Sequence, residues 1–129
     1  MAVGFAPATA NSLLDALARA VNYTAPTAVW VKLHIGDPGS AGTANAATET
    51  TRKQGTFGTG AAGGAISNTA ALTWTAVAGS EDYTHYSVWT ASTAGTFLWS
   101  GTVTANPVTA ADDFTIAIGD LDLSFAVAA

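Results

Sequence analysis

Val29-Trp30-Val31-Lys32-Leu33-His34-Ile35 places an aliphatic side chain at every second position, and this stretch decides the fold class. A period of two puts successive side chains on opposite faces, so the pattern predicts a strand with one buried face. Val29, Val31, Leu33 and Ile35 form the apolar face, and Trp30, Lys32 and His34 form the other. Gly36-Asp37-Pro38-Gly39 then stops the strand, because glycine, proline and aspartate favour turn conformations over extended ones.

The same period recurs further along. Leu72, Trp74 and Ala76 alternate with threonines. In the Tyr83–Thr90 stretch, Tyr86 and Val88 lie on one face and His85, Ser87 and Trp89 on the other. Phe97, Trp99 and Val103 are expected to line one face of the next strand, joined to the previous one by a hairpin at Ala91–Gly95. Phe114, Ile116 and Ile118 precede Leu121, Leu123, Phe125 and Val127, with only Gly119-Asp120 between them. A two-residue loop with glycine first predicts a type II′ hairpin in which Ile118 opposes Leu121. Ala65-Ile66 reads as a short edge strand, and Ser40–Lys53 shows no regular element. The expected fold is all-β: a single antiparallel β-sandwich or barrel-like domain spanning 11–129.

Upstream of the strands, residues 1–10 lack periodicity and contain Pro7, so they read as an extended N-terminal arm. A helix is expected at about 12–22. Ser12 and Asp15 have capping-box spacing, and Leu13, Leu17, Ala20 and Val21 make one apolar stripe. Asn22 and Pro26 suit its end. A helix this short is not stable alone and has to dock.

Composition narrows the function classes. The chain has 129 residues, enough for one domain. Charged residues make up 10% against an average of about 25%, which leaves a surface of Thr, Ser, Asn, Gly and Ala. The net charge of −5 comes from only four basic residues, Arg19, Lys32, Arg52 and Lys53, so nucleic acid and anionic membrane surfaces are not expected as partners. There is no cysteine, which removes disulfides and thiolate chemistry. Neither a membrane span nor the basic and apolar regions of a signal peptide is visible, and synthesis in a host cytoplasm is expected.

Motifs for catalysis are weak. Gly58-Thr-Gly60-Ala-Ala-Gly63 matches a dinucleotide fingerprint, but no helix follows it in the sequence pattern, so a flexible loop or a sheet edge is the better reading. His34 with Asp37, or His85 with Asp82, falls short of a metal set. Ser87, His85 and Asp82 could be written as a triad, yet no nucleophile elbow accompanies them. No catalytic, cofactor-binding or metal-binding residue is therefore assigned, and the protein is expected not to be an enzyme. The four tryptophans are more telling. Trp30 and Trp89 sit on polar strand faces, which calls for either a covering helix or a protein interface. The candidate assembly interface is Phe5, Pro7, Trp30, His34 and Trp89.

Val31-Lys-Leu-His34-Ile-Gly36-Asp37-Pro38-Gly39, followed by Gly42-Thr43-Ala-Asn45, resembles the Leu-His-Thr-Gly-Asp-Pro-Gly … Gly-Thr-Ala-Asn signature of small virion proteins from tailed phages of actinobacteria. Ile66-Ser67-Asn68-Thr69, Thr84-His85-Tyr-Ser87-Val88-Trp89 and Ile118-Gly119-Asp120-Leu121 extend the resemblance towards the C-terminus. Ile35 departs from it, where the pattern has threonine. Members are described as tail fibre, minor structural or capsid decoration proteins. The resemblance implies a virion component without catalysis. Combined with the arm, it gives the expectation of a decoration (cement) protein on the capsid surface, a homo-oligomer (a trimer) that binds the major capsid protein. A tail-associated fibre or host-surface-binding module is the alternative.

Overall fold

A computed structural model describes residues 3–128. In chain order its elements are α1 (Pro7–Arg19), β1 (Val29–His34), β2 (Lys53–Gly55), β3 (Ala65–Ile66), β4 (Leu72–Trp74), β5 (Glu81–Trp89), β6 (Phe97–Val108), β7 (Phe114–Ile116) and β8 (Leu123–Ser124). The alternating stretch becomes an inner strand of a four-stranded antiparallel sheet ordered β2-β1-β5-β6. Two short antiparallel ribbons, β4–β7 and β3–β8, complete the all-β domain.

Period two explains the core. Val31 and Leu33 of β1 and Tyr86 and Val88 of β5 project from one sheet face and are buried. They pack with Leu72, Trp74, Phe114 and Ile116 of the β4–β7 ribbon in a single apolar cluster. The Phe114 ring lies edge-on to Tyr83 at 4.9 Å between centroids and tilts against Trp74 at 6.1 Å. Tyr86 needs room beside its partner strand. Gly101 stands directly opposite it, and a Cβ there would come within 2.5 Å of the phenol oxygen.

Local chemistry is overridden in three places. The helix begins at Pro7, not near residue 12, so the arm ends sooner than the sequence suggested. Proline pre-sets the first helical φ and gives up only an amide that the first turn leaves unpaired. Ser12 does not cap the helix; its Oγ donates back to the Ala8 carbonyl at 3.0 Å, while Asp15 pairs with Arg19. The end falls at Ala20 in the left-handed conformation, with the Val21 amide donating to the Asp15 carbonyl, rather than at Asn22.

The second departure is the arm itself. Phe5 bridges Trp99, the Ala6 amide donates to the Leu98 carbonyl, and the Ser100 amide donates to the Gly4 carbonyl. These residues cover part of the outer edge of β6, the kind of unpaired edge that proteins protect. Residues 1 and 2 of the arm lie outside the described residues.

The third is the C-terminal hairpin, which does not form. β7 pairs with β4 and β8 pairs with β3. The buried Asn68 explains why: its Oδ1 accepts the amides of Gly119 and Leu121, and its Nδ2 donates to the carbonyls of Ala70 and Ala117. With the turn held from outside, Leu121 is fully buried while Ile118 is exposed, so the two do not share a side. A smaller correction concerns β6. A register shift between Val88 and Trp89 sends Phe97 to the face of Trp89, leaving Trp99 in the main core.

Candidate interaction surfaces

The second face of the sheet carries the residues that the sequence singled out. Direct cross-strand partners share a face, so the register builds it row by row. Gln54, Trp30, Trp89 and Phe97 make one row, and His34, His85 and Thr102 make another. Between them Lys32 pairs with Ser87, which pairs with Ser100.

Much of this face is covered: Ala6, at the N-cap of α1, is buried with Trp89 and Phe97, and a long loop contributes further cover. Gly36–Ala47 folds back over it. Asp37 Oδ1 accepts the Gly39 amide at 2.8 Å, the Ala44 amide donates to the Pro38 carbonyl, and the Ile35 amide donates to the Asn45 carbonyl. Gly42, at φ +73°, lies so close to Phe97 that a Cβ would approach the ring to 2.6 Å. The His-x-Gly-Asp-Pro-Gly signature is thus the start of a return loop seated on its own sheet.

His34 fastens that loop. Its Nδ1 faces the Ala44 carbonyl at 2.8 Å, so Nδ1 carries the proton and donates. Nε2 then accepts from Ser87 Oγ at 2.7 Å, and Ser87 Oγ accepts the Trp89 indole N–H at 2.8 Å. The chain Trp89 to Ser87 to His34 to Ala44 is satisfied only with a neutral imidazole. Burial accordingly lowers the His34 pKa from its ordinary 6.5, with nearby Lys32 and His85 pushing the same way against the raising effect of the backbone contacts. A serine and histidine at this distance resemble a nucleophile and its base. Ser87 is 0% exposed, however, and its oxygen is already occupied by the indole, so the pair holds the loop. His85 bonds Thr84 Oγ1 and not Ser87, so the written triad is not assembled.

Arg52 closes the remaining side. Its guanidinium lies 4.4 Å from the Trp89 ring centroid, and Nη1 donates to the carbonyls of Ala91 and Ala94 in the β5–β6 turn. No sequence signal identified Arg52 in this role, nor Asn68 in its own; both act on segments far away in the chain.

The expected interface set therefore divides. His34 and Trp89 are buried and are not on an accessible surface, because the return loop and Arg52 occupy that space. Trp30 stays half-buried beside them. Phe5 and Pro7 belong to a different region. Pro7 is exposed, and Phe5 stacks on Phe125 at 5.1 Å. There Leu14, Leu17, Val21, Phe125 and Val127 are exposed, Leu17 at 85%, so of the expected helix stripe only Leu13 is even half-buried, and Thr9 is the buried residue of the helix. A shallow apolar cavity of about 220 Å³ runs beside it, lined by Phe5, Leu13, Val29, Leu98, Trp99 and Phe125 among others.

The Gly58–Gly63 stretch is loop. Ala62 and Ala65 exchange backbone hydrogen bonds around Gly63 and Gly64, both at positive φ, and strand β3 follows. Among the described residues no cluster of three or more His, Asp or Glu side chains is placed to hold a metal ion, and no helix is long and apolar enough to cross a membrane.

Comparison with known proteins yields one family. The model for the podophage GP4 fiber I protein gp80 matches residues 4–124, nearly the whole chain. No curated protein matches it. The chain belongs to the gp80 fibre-protein family, a family of phage virion structural proteins.

Proposed function

We propose that the chain is a fibre-associated component of the virion that works by binding surfaces and not by catalysis. The observation that carries this reading is the match of residues 4–124 to a family described as a fibre protein. The arrangement of the second sheet face supports it, since its one serine–histidine pair is buried and holds a loop in place. Capsid decoration through the major capsid protein is the finer reading that the sequence favoured. Its motive was a free N-terminal arm, and Gly4–Ala6 are engaged with the chain's own β6 edge. The fibre reading is preferred on that ground. Self-association, as the expected trimer, is part of the proposal. The exposed Leu14, Leu17 and Val21 of the helix region supply an apolar stripe for it.

The deciding experiment is the copy number of this chain in purified particles, measured by quantitative mass spectrometry against the major capsid protein. A small number of copies per particle supports the fibre assignment. Stoichiometry near that of the capsid subunit overturns it in favour of decoration. Light scattering on the isolated chain tests the trimer, and a monomer at all concentrations removes that part.

A further inference from the structure

The chain is acidic overall, yet its basic residues are unevenly placed: of the four, Lys32 lies in β1, Lys53 opens β2 and Arg52 immediately precedes it. Register separates them. Val31 pairs with Lys53, so Lys53 shares the core-facing side of the sheet edge. Arg52 precedes that pair in the chain, and its guanidinium lies over Trp89, on the same second face as Lys32. The proximity registers electrostatically, since burial and the Arg52 charge both lower the Lys32 pKa.

Like charges held on one face repel. The one ion pair among the described residues is Arg19 with Asp15, on the helix, so neither Lys32 nor Arg52 has a carboxylate within 4.0 Å. Arg52 spends Nη1 on two turn carbonyls and stacks on Trp89, which fixes its position without neutralising it. Two cations are thus kept on one face with no carboxylate of the described residues within 4.0 Å of either.

The row beside them supplies a second kind of contact. Trp30 is half-buried, pairs directly with Trp89, and has the exposed amide of Gln54 opposite it on β2. The electron-rich face of an indole accepts the weakly positive C–H face of a sugar ring, and an amide at its margin can bond hydroxyls. From this juxtaposition we infer that Trp30, Lys32, Arg52 and Gln54 form a binding surface for an acidic polysaccharide. The sugar carboxylate would lie between Lys32 and Arg52, with a ring against Trp30. An acidic protein segment would use the two cations but has no equal need of the aromatic row, which is why the saccharide is favoured. The inference deepens the fibre reading by naming the kind of surface this face meets.

The test uses the full chain with polygalacturonate as probe and with neutral dextran and polyglutamate as comparisons, by calorimetry and tryptophan fluorescence at low salt. Binding to polygalacturonate but not dextran is expected, weakened about tenfold or more by Lys32→Gln and by Trp30→Ala, and weakened by added salt as exposed charges are screened. Lys32→Gln keeps the side-chain stem and leaves no cavity, so it reports on charge even if Trp30→Ala perturbs folding, which circular dichroism checks. Polyglutamate binding of equal strength, indifferent to Trp30→Ala, overturns the saccharide in favour of an acidic protein. No binding to either polymer, or binding indifferent to Lys32→Gln, overturns the site. Because the isolated chain is measured, failure here leaves the particle copy number, and the fibre reading with it, untouched.

Discussion

The two faces of the β2-β1-β5-β6 sheet are built from the same strands and held by different physics. On one face Val31, Leu33, Tyr86 and Val88 pack against the β4–β7 ribbon, and stability comes from apolar area removed from water. On the other, Trp89, Ser87 and His34 are buried as a hydrogen-bonded chain that ends on the Ala44 carbonyl of the return loop. An apolar face tolerates small geometric error, because dispersion has no preferred direction. A buried polar chain does not, since each broken link leaves a desolvated group unpaired. One face therefore sets whether the domain folds, and the other sets where the loop lies and which residues stay accessible beside it.

The largest effect should come from the apolar face. Phe114 is buried against both Trp74 and Tyr83, so Phe114→Ala opens a cavity at the centre of the core. A loss of about 3–5 kcal/mol is expected in denaturant melts, the usual range for large aromatic truncations. A loss below about 1 kcal/mol would mean that the ribbon is not the second layer of the core.

Ser87→Ala should cost less and act differently. It removes one hydroxyl but orphans two buried groups, the Trp89 indole N–H and His34 Nε2. About 1–3 kcal/mol is expected for a buried partner left unsatisfied. Hydrogen exchange should rise at Ala44 and its neighbours more than in β4 or β7. Uniform loosening of both faces would show that the loop and the core are one cooperative unit.

The sequence made part of this division legible. Alternation at Val29–His34 and His85–Trp89 correctly divides each strand into two faces, because period two is a property of the backbone itself, whereas Ile35 lies beyond β1 and is exposed instead of buried. It also puts Trp30, His34 and Trp89 on one side. It could not say that the side was covered, because the cover depends on contacts between distant segments: Gly42 on Phe97 and Arg52 on Trp89. The same limit undid the Gly119-Asp120 hairpin. The turn itself falls one residue early, with the Asp120 amide donating to the Ala117 carbonyl so that Ile118 and Gly119 are central, and Asn68, some fifty positions upstream, binds the amides of Gly119 and Leu121 while the strands go to different partners. The helix was misplaced for a smaller reason, since Ser12 and Asp15 had capping spacing while Pro7 held the stronger start.

Acid should act on the polar face through His34. Its pKa in the folded state lies below the ordinary 6.5, so as pH falls the unfolded chain binds the proton first. The contribution of neutral His34 is complete above about pH 6.5 and is lost as pH falls through the folded pKa. Melts of the native chain should weaken across that window, with exchange in Gly36–Ala47 rising first. His34→Gln should flatten the dependence there. If the slope survives the substitution, another group governs it and the imidazole is not the pH-sensitive link.

The smallest effect is expected where the apolar face carries a polar atom without a partner. Tyr83 is fully buried, and its hydroxyl makes no hydrogen bond. Burial, with Glu81 and Glu49 adding to it, raises its pKa to about 12, so the phenol is neutral throughout the ordinary range. Its ring still packs edge-on against Phe114. Tyr83→Phe keeps that packing and removes an oxygen whose desolvation nothing offsets. It should therefore be neutral or stabilising by up to about 1 kcal/mol, the opposite sign from Ser87→Ala. Paired melts of the two variants isolate what a hydroxyl does on each face. A clear loss for Tyr83→Phe would mean that an ordered water completes the hydroxyl, making this part of the core a polar site like the face behind it.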